Sequence, residues 1–189
     1  DVKVVLCGDG GDELFAGYKR YRQHLRSAWR RHLPAWPKLR PAPAIVPGKR
    51  ERLALEASLD WLAAYPLRFS GIGLSERMAL QPDFAARPHW WRIPENLEDR
   101  SPIEQLLAVD GENYLPEYIL RKADLLTMAH GLEARAPLLD HVFVGRVLAM
   151  PPAERFSDPA KQALAGVCPQ AAEFAFFERK KMGFNPPVH

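Results

Sequence analysis

The apolar positions along the chain change period several times, and each change marks an element. Val2-Lys3-Val4-Val5-Leu6-Cys7 is a nearly unbroken apolar run rich in β-branched residues. Without alternation it predicts a strand buried on both faces, the usual state of a strand in a parallel sheet. The run stops at Gly8-Asp9-Gly10-Gly11-Asp12-Glu13. Glycines this dense belong to neither strand nor helix interior; they permit positive φ and let a ligand approach bare backbone. Leu14, Tyr18, Tyr21, Leu25 and Trp29 then recur at helical spacing, which predicts a helix from about Asp12 to His32. Lys19, Arg22, Arg26 and Arg30 form a second, basic stripe, read as a solvated face.

Beyond this, helices dominate. Pro34, Pro37, Pro41, Pro43 and Pro47 break any periodicity and predict a loop. A helix is expected from about Lys49 to Ala64, with Leu53, Ala57, Leu59 and Leu62 inward and Pro66 ending it. A short helix is expected near Ser75 to Leu80. The Trp90-Trp91 pair reads as packing, and His89 has no second histidine at ligand spacing. Ser101-Pro102-Ile103-Glu104 is a capping box with proline at the first helical position, starting a helix to about Asn113. Pro116 starts the next, ending at Gly131 in a left-handed cap. Glu133 to Pro137 reads as a short non-helical link whose alternating charges face one way. Asp140 caps a helix to Met150, and Asp158-Pro159 caps another. Phe174, Phe176 and Phe177 read as core, followed by a basic loop through Lys180 and Lys181.

Composition is that of one globular domain: 189 residues, 47% hydrophobic and 26% charged. A net charge of +3 suits a polyphosphate ligand and is too small to argue for nucleic acid. No apolar run approaches the ~20 residues of a membrane helix. Cys7 and Cys168 are the only cysteines, which points to a reducing, cytoplasmic setting without a disulfide framework. The chain opens on Asp1 directly before a core strand and stops at Asn185-Pro186-Pro187-Val188-His189. Both ends read as cuts in a longer protein, with the remaining strands of the sheet expected ahead of Asp1.

A strand, a glycine loop and a helix is the arrangement in which α/β sheets bind ligands at their carboxyl ends. Backbone N–H groups at a helix start attract phosphate. Asp9 and Asp12 are hard oxygen ligands suited to Mg²⁺, which takes one or two carboxylates together with substrate phosphates. No Gly-Lys-Ser/Thr follows, so this is not a Walker A loop, and the glycine offsets are not those of the dinucleotide fingerprint. A plain tight turn, with Asp12 and Glu13 favouring the helix dipole, stays open beside the ligand-binding reading.

Three stretches, in order, resemble the asparagine synthetase family. Gly8 to Tyr18, GDGGDELFAGY, resembles its SG(E/D)G(S/G)DE-(L/V)-F-x-G-Y segment. Leu115 to Asp140 resembles its pattern of Lys-x-Asp, Met-Ala and Glu-x-Arg-x-Pro-x-Leu-Asp. Arg179 to Phe184, RKKMGF, resembles its lysine-bearing segment near the end of the synthetase domain. The resemblance implies an α/β fold: the C-terminal portion of a single Rossmann-like ATP-pyrophosphatase (adenine nucleotide alpha hydrolase-like) domain, residues 1–189, mostly helical with one buried parallel strand. It implies ATP and Mg²⁺ as cofactors and a carboxylate acceptor, with aspartate first. That acceptor is activated as an acyl-AMP for attack by ammonia from an N-terminal glutaminase domain. By position in the motifs, Asp12 and Asp9 are metal ligands, and Asp9, Glu133 and Lys181 are catalytic. Gly8, Gly10, Gly11, Lys122 and Lys180 are expected to bind nucleotide or pyrophosphate. No nucleic-acid or membrane partner is expected, and a homodimer stays open.

Two departures matter. Many family members carry Glu where this chain has Asp9, one methylene shorter, and a reach error of ~1 Å costs ~10²-fold in rate. The family's pyrophosphate loop, Ser-Gly-Gly-x-Asp-Ser, and its glutaminase cysteine are absent from these residues; Cys7, inside a core strand, is not that nucleophile. The alternatives are a β-lactam synthetase-like cyclase, an amidotransferase acting on a polysaccharide precursor, and a homologue that binds nucleotide without catalysis.

Overall fold

The computed structural model describes residues 2–33, 49–69, 79–80, 91–157, 160–167 and 170. Two short strands, β1 (Val4–Leu6) and β2 (Glu133–Arg135), form a parallel pair in the register Val4 to Glu133, Val5 to Ala134 and Leu6 to Arg135. The rest of the described chain is helix, turn and connection. The link expected at Glu133 is therefore a strand. Its one-way charges are the period-2 alternation of a pleated backbone, with Glu133 and Arg135 outward and Ala134 between them. The expectation that β1 is buried on both faces is corrected: on one face Val4 is 38% and Leu6 73% exposed, and Val5 on the other is half-buried. Among the described residues only β2 pairs with β1, so its β-branched side chains have no layer to pack beneath.

The long helix expected after the loop is also corrected. It is three pieces: α1 (Gly11–Leu14), α2 (Lys19–Leu25) and a 3₁₀ turn, Ala28–His32. The break lies at Ala16, whose φ of 54° no helix accommodates. Apolar spacing at 3.6 survives the break, which hid it. Leu14 joins one cluster with Phe15 and Val147, while Tyr21 joins another with Trp61, Tyr65, Leu106, Leu107 and Val109. Trp29, expected inward, is largely exposed.

Next come α3 (Lys49–Ser58) and a 3₁₀ turn, Tyr65–Arg68, which has Pro66 inside it rather than after it. Leu55, not Leu53, is the buried leucine of α3. The capping box forms as read: the Ser101 backbone N–H donates to the Glu104 carboxylate at 3.0 Å, and α4 runs Pro102–Glu112. A π-helical turn, Leu115–Leu120, leads into α5 (Arg121–Met128). That helix closes in a Schellman arrangement, with the Leu132 N–H on the Thr127 carbonyl at 3.0 Å and Gly131 at φ 67°. Asp140 caps α6 (His141–Leu148), accepting from the Val142 and Phe143 N–H groups at 3.0 and 3.1 Å. Two shorter helices follow, α7 (Pro152–Arg155) and α8 (Gln162–Val167). Trp91 packs against Phe69, ring centroids 4.4 Å apart. Residues 79–80 are helical; 34–48, 71–78, His89, Trp90 and the phenylalanines at 174, 176 and 177 lie outside the described residues.

Candidate active site

Parallel pairing places the loops that leave β1 and β2 on the same edge. The first is Cys7 to Gly10; the second is Ala136 to Asp140, with a 3₁₀ turn at Pro137–Leu139. The two loops touch. Gly10 has φ 92°, and a Cβ built there would overlap the Leu139 side chain, with Cγ at 2.6 Å. At Gly11 a Cβ would meet Leu138 Cδ1 at 3.1 Å. Glycine at position 10 thus answers to both backbone sign and lack of room. The loop's helix begins at once, with Leu14 N–H on Gly10 O at 2.8 Å and Phe15 N–H on Gly11 O at 3.2 Å.

The two acidic residues that start α1 have different fates. Asp12 Oδ1 lies 2.6 Å from the Lys161 ammonium. Glu13 turns inward, 5% exposed, and accepts a 2.6 Å hydrogen bond from the Tyr18 hydroxyl. Burial raises the Glu13 pKa, and the Tyr18 hydrogen bond acts against that rise. Gly17 lies beneath the Asp12–Lys161 pair: a Cβ there would overlap the Asp12 carboxylate and come within 2.6 Å of Lys161 Cε. The Leu14 carbonyl at the end of α1 accepts from Arg155 Nε at 2.8 Å, so α7 closes that helix end. Asp9 sits partly exposed at the loop's crest, within hydrogen-bonding reach of Cys7. Burial raises the Cys7 thiol pKa, and the Asp9 backbone N–H opposes it.

Behind the loop is a charged cluster that sequence periodicity gave no sign of. Arg20 donates to Asp110 Oδ2 at 2.6 Å and to the Tyr65 hydroxyl at 3.0 Å. Tyr21 and Tyr65 also donate to Asp110 Oδ2, at 2.5 and 3.1 Å. The Arg20 guanidinium lies over Tyr18, Phe69 and Tyr114, 3.5, 4.4 and 4.4 Å from their ring centroids. Burial raises the Asp110 pKa, while Arg20 and the tyrosine hydroxyls hold it down. Tyr18 joins this cluster to Glu13, and so to the loop. A lone arginine one place off a basic stripe carries no periodic signal; neither do Arg155 and Lys161, which act from the far end of the chain.

The remaining expected site residues are distributed as follows. Glu133 is level with Val4, at the opposite end of β1 from the loop, and pairs with Arg135 at 2.7 Å. Arg135, level with Leu6, is the β2 side chain nearer the loop. Lys122 stands exposed on α5, its ammonium 5.0 Å from the Tyr118 ring centroid. Gly8, Gly10 and Gly11 form the loop itself. Lys180 and Lys181 lie outside the described residues. Among the described residues no three acidic, histidine or cysteine side chains gather as a metal cage. A cation here would have the two loop carboxylates, Asp9 and Asp12, and Asp12 already holds a positive charge at contact distance. That donor set fits an ion taking few protein oxygens and completing its shell from substrate. No helix of the described residues is long and apolar enough to cross a membrane.

The glycine loop leaves the carboxyl edge of the parallel pair, the edge at which α/β sheets bind their ligands. The family model described as asparagine synthase matches residues 1–189, and the chain belongs to that family. It is 32% identical over 204 residues to a provisionally named glutamine-hydrolyzing asparagine synthetase of Mycobacterium tuberculosis, covering 99% of this chain and 30% of the relative. Over 205 residues it is 29% identical to the glutamine-hydrolyzing asparagine synthetase 1 of Bacillus subtilis, covering 99% of this chain and 31% of the relative. The chain therefore spans about three tenths of the length of these curated relatives. No solved structure matches it.

Proposed function

We propose that the protein carrying this chain is an ATP-dependent amidotransferase, and that residues 1–189 are the C-terminal portion of its Rossmann-like synthetase domain. The observation that carries the reading is the loop Gly8 to Glu13, with Gly10 at φ 92° against the Leu139 side chain, in a chain that belongs to the asparagine synthase family. In the proposed reaction an acceptor carboxylate oxygen bonds to the α-phosphorus of ATP. The bond from that phosphorus to the bridging oxygen breaks, and pyrophosphate leaves. Ammonia from a glutaminase domain then bonds to the acyl carbon, AMP departs, and the nitrogen's proton passes to Asp9.

Asp12, with Asp9, would hold Mg²⁺, whose charge would neutralise the phosphates as pyrophosphate leaves. Gly8, Gly10 and Gly11 bring backbone close to phosphate oxygens. Lys181 would stabilise charge at the phosphorus, with Lys180 and Lys122 on the nucleotide side and Glu133 in a supporting place. Aspartate is the first acceptor to try. The shorter Asp9 favours a second reading with the same chemistry and a different carboxylate. A pyrophosphate-release assay on the whole protein, with aspartate and then other carboxylates, tests both. Release with aspartate and glutamine supports asparagine synthesis; release with another acceptor alone supports the second reading. ADP and phosphate as products defeat the proposal.

A further inference from the structure

We propose that Lys161 is a built-in competitor for the cation site at Asp12, setting how tightly that site takes a divalent ion. The inference rests on the assignment of a cation to Asp12 made above. Three independent features of the chain converge on the contact. Lys161 has φ 71°, a conformation that side-chain-bearing residues rarely adopt. Its carbonyl accepts from Leu164 and Ala165 at 3.0 and 3.2 Å, so it is also the residue that opens α8. Its side chain reaches Asp12 only because Gly17 has no Cβ, which would come within 2.6 Å of Lys161 Cε. The result is an ammonium 2.6 Å from Asp12 Oδ1, the two side chains 27% and 17% exposed.

A direct contact between a lysine and a carboxylate proposed to hold metal has a simple electrostatic consequence. A divalent ion bonds a carboxylate oxygen at about 2.1 Å. On the same oxygen it would stand within about 5 Å of the ammonium, where like charges in a part-buried site repel strongly. The ammonium must withdraw, or the ion binds weakly. Lys161 is exposed enough for its ammonium to be hydrated on withdrawal. Removing its charge while keeping its stem therefore tightens cation binding at Asp12, and removing the Asp12 charge abolishes that gain. Lys161 keeps the Asp12 carboxylate neutralised and oriented, and it raises the threshold for a cation arriving without its polyphosphate. It is a positioning residue here, acting through Asp12.

The test is Mn²⁺ binding to the whole protein, read by electron paramagnetic resonance with α,β-methylene-ATP present, so that no turnover is needed. Lys161→Met is expected to lower the Mn²⁺ dissociation constant about tenfold or more. Lys161→Gln, the second neutral variant, should lower it in the same direction, and Lys161→Arg should stay within about twofold of the parent. Asp12→Asn should weaken binding, and Asp12→Asn with Lys161→Met should show no gain over Asp12→Asn alone. Circular dichroism checks that each variant is folded. Unchanged or weaker binding in the folded neutral variants, with Asp12→Asn still weakening it, overturns the competition and leaves the metal assignment standing. Binding indifferent to Asp12→Asn overturns both.

Discussion

The Tyr18 hydroxyl donates a 2.6 Å hydrogen bond to the Glu13 carboxylate across the break between α1 and α2. Of the two acidic residues that open α1, Glu13 is thereby held inward, while Asp12 pairs with Lys161. The bond also explains why the chain breaks where it does. Ala16 takes a left-handed φ and Gly17 makes room, so that Tyr18 returns to meet the residue five positions earlier.

Tyr18→Phe should lower stability by about 1–3 kcal/mol at neutral pH, the cost of a buried carboxylate losing its donor. The sign of its pH dependence follows from burial, which raises the Glu13 pKa. The folded state then binds the proton more tightly than the unfolded one. Stability falls as pH rises from the ordinary carboxylate range through the raised value. The penalty in Tyr18→Phe should therefore shrink in acid, and Glu13→Gln should flatten the slope. Urea unfolding across pH 4 to 8 checks both.

Arg20 and Asp110 form a buried ion pair at 2.6 Å, with Asp110 fully buried. Arg20→Met leaves that carboxylate without its counter-charge and should cost about 3–5 kcal/mol. Arg20→Met with Asp110→Leu should cost less than the sum of the single changes, with a coupling of about 1–3 kcal/mol. A double-mutant cycle from denaturant midpoints is the measurement; strict additivity would contradict the pairing.

His24 is 1% exposed, and its Nε2 lies 2.9 Å from the Trp61 carbonyl. Arg68 Nε approaches the other ring nitrogen at 3.4 Å, so the neutral ring with its proton on Nε2 satisfies both contacts. Burial lowers its pKa to about 4. Between the ordinary value near 6.5 and the lowered one, the unfolded state binds more protons than the folded state. Stability is therefore lost as pH falls through that window, by about 3 kcal/mol. A His24→Gln variant should lack this slope in thermal melts between pH 4 and 7.

Gly10→Ala meets two obstacles, a φ of 92° and the Leu139 side chain. It should cost about 2–4 kcal/mol from backbone strain and overlap together. Leu139→Ala in the same chain should restore part of the loss by relieving the overlap, leaving the conformational part. A melting temperature in the double variant no higher than in Gly10→Ala would show that Leu139 is not the obstruction.

Much of this arrangement is written locally. The glycine loop, the capping box at Ser101, the Asp140 cap and the Gly131 terminus each depend on residues within a few positions. Short-range sterics and hydrogen bonding decide those. The order of motifs Gly8 to Tyr18 and Leu115 to Asp140 was equally legible, as was the family they indicate. Three things were not. The second strand hid as a charged link because a three-residue strand exists only when paired. The break at Ala16 hid because apolar spacing continues through it. The exposed face of β1 hid because burial depends on what is packed above, not on how apolar the run is.

The sequence by itself determined the caps at Ser101 and Asp140 and the terminus at Gly131, and it marked Gly8 to Glu13 as the candidate place for chemistry. Only the tertiary structure decided what surrounds that loop. Leu138 and Leu139 press on its glycines, Arg155 closes its helix, Lys161 holds Asp12, and Arg20 with Asp110 backs Tyr18. Each of these contacts joins residues far apart in the chain, through charges or side-chain volumes that have no period. They come from where folding sets the helices, and no spacing along the chain encodes them.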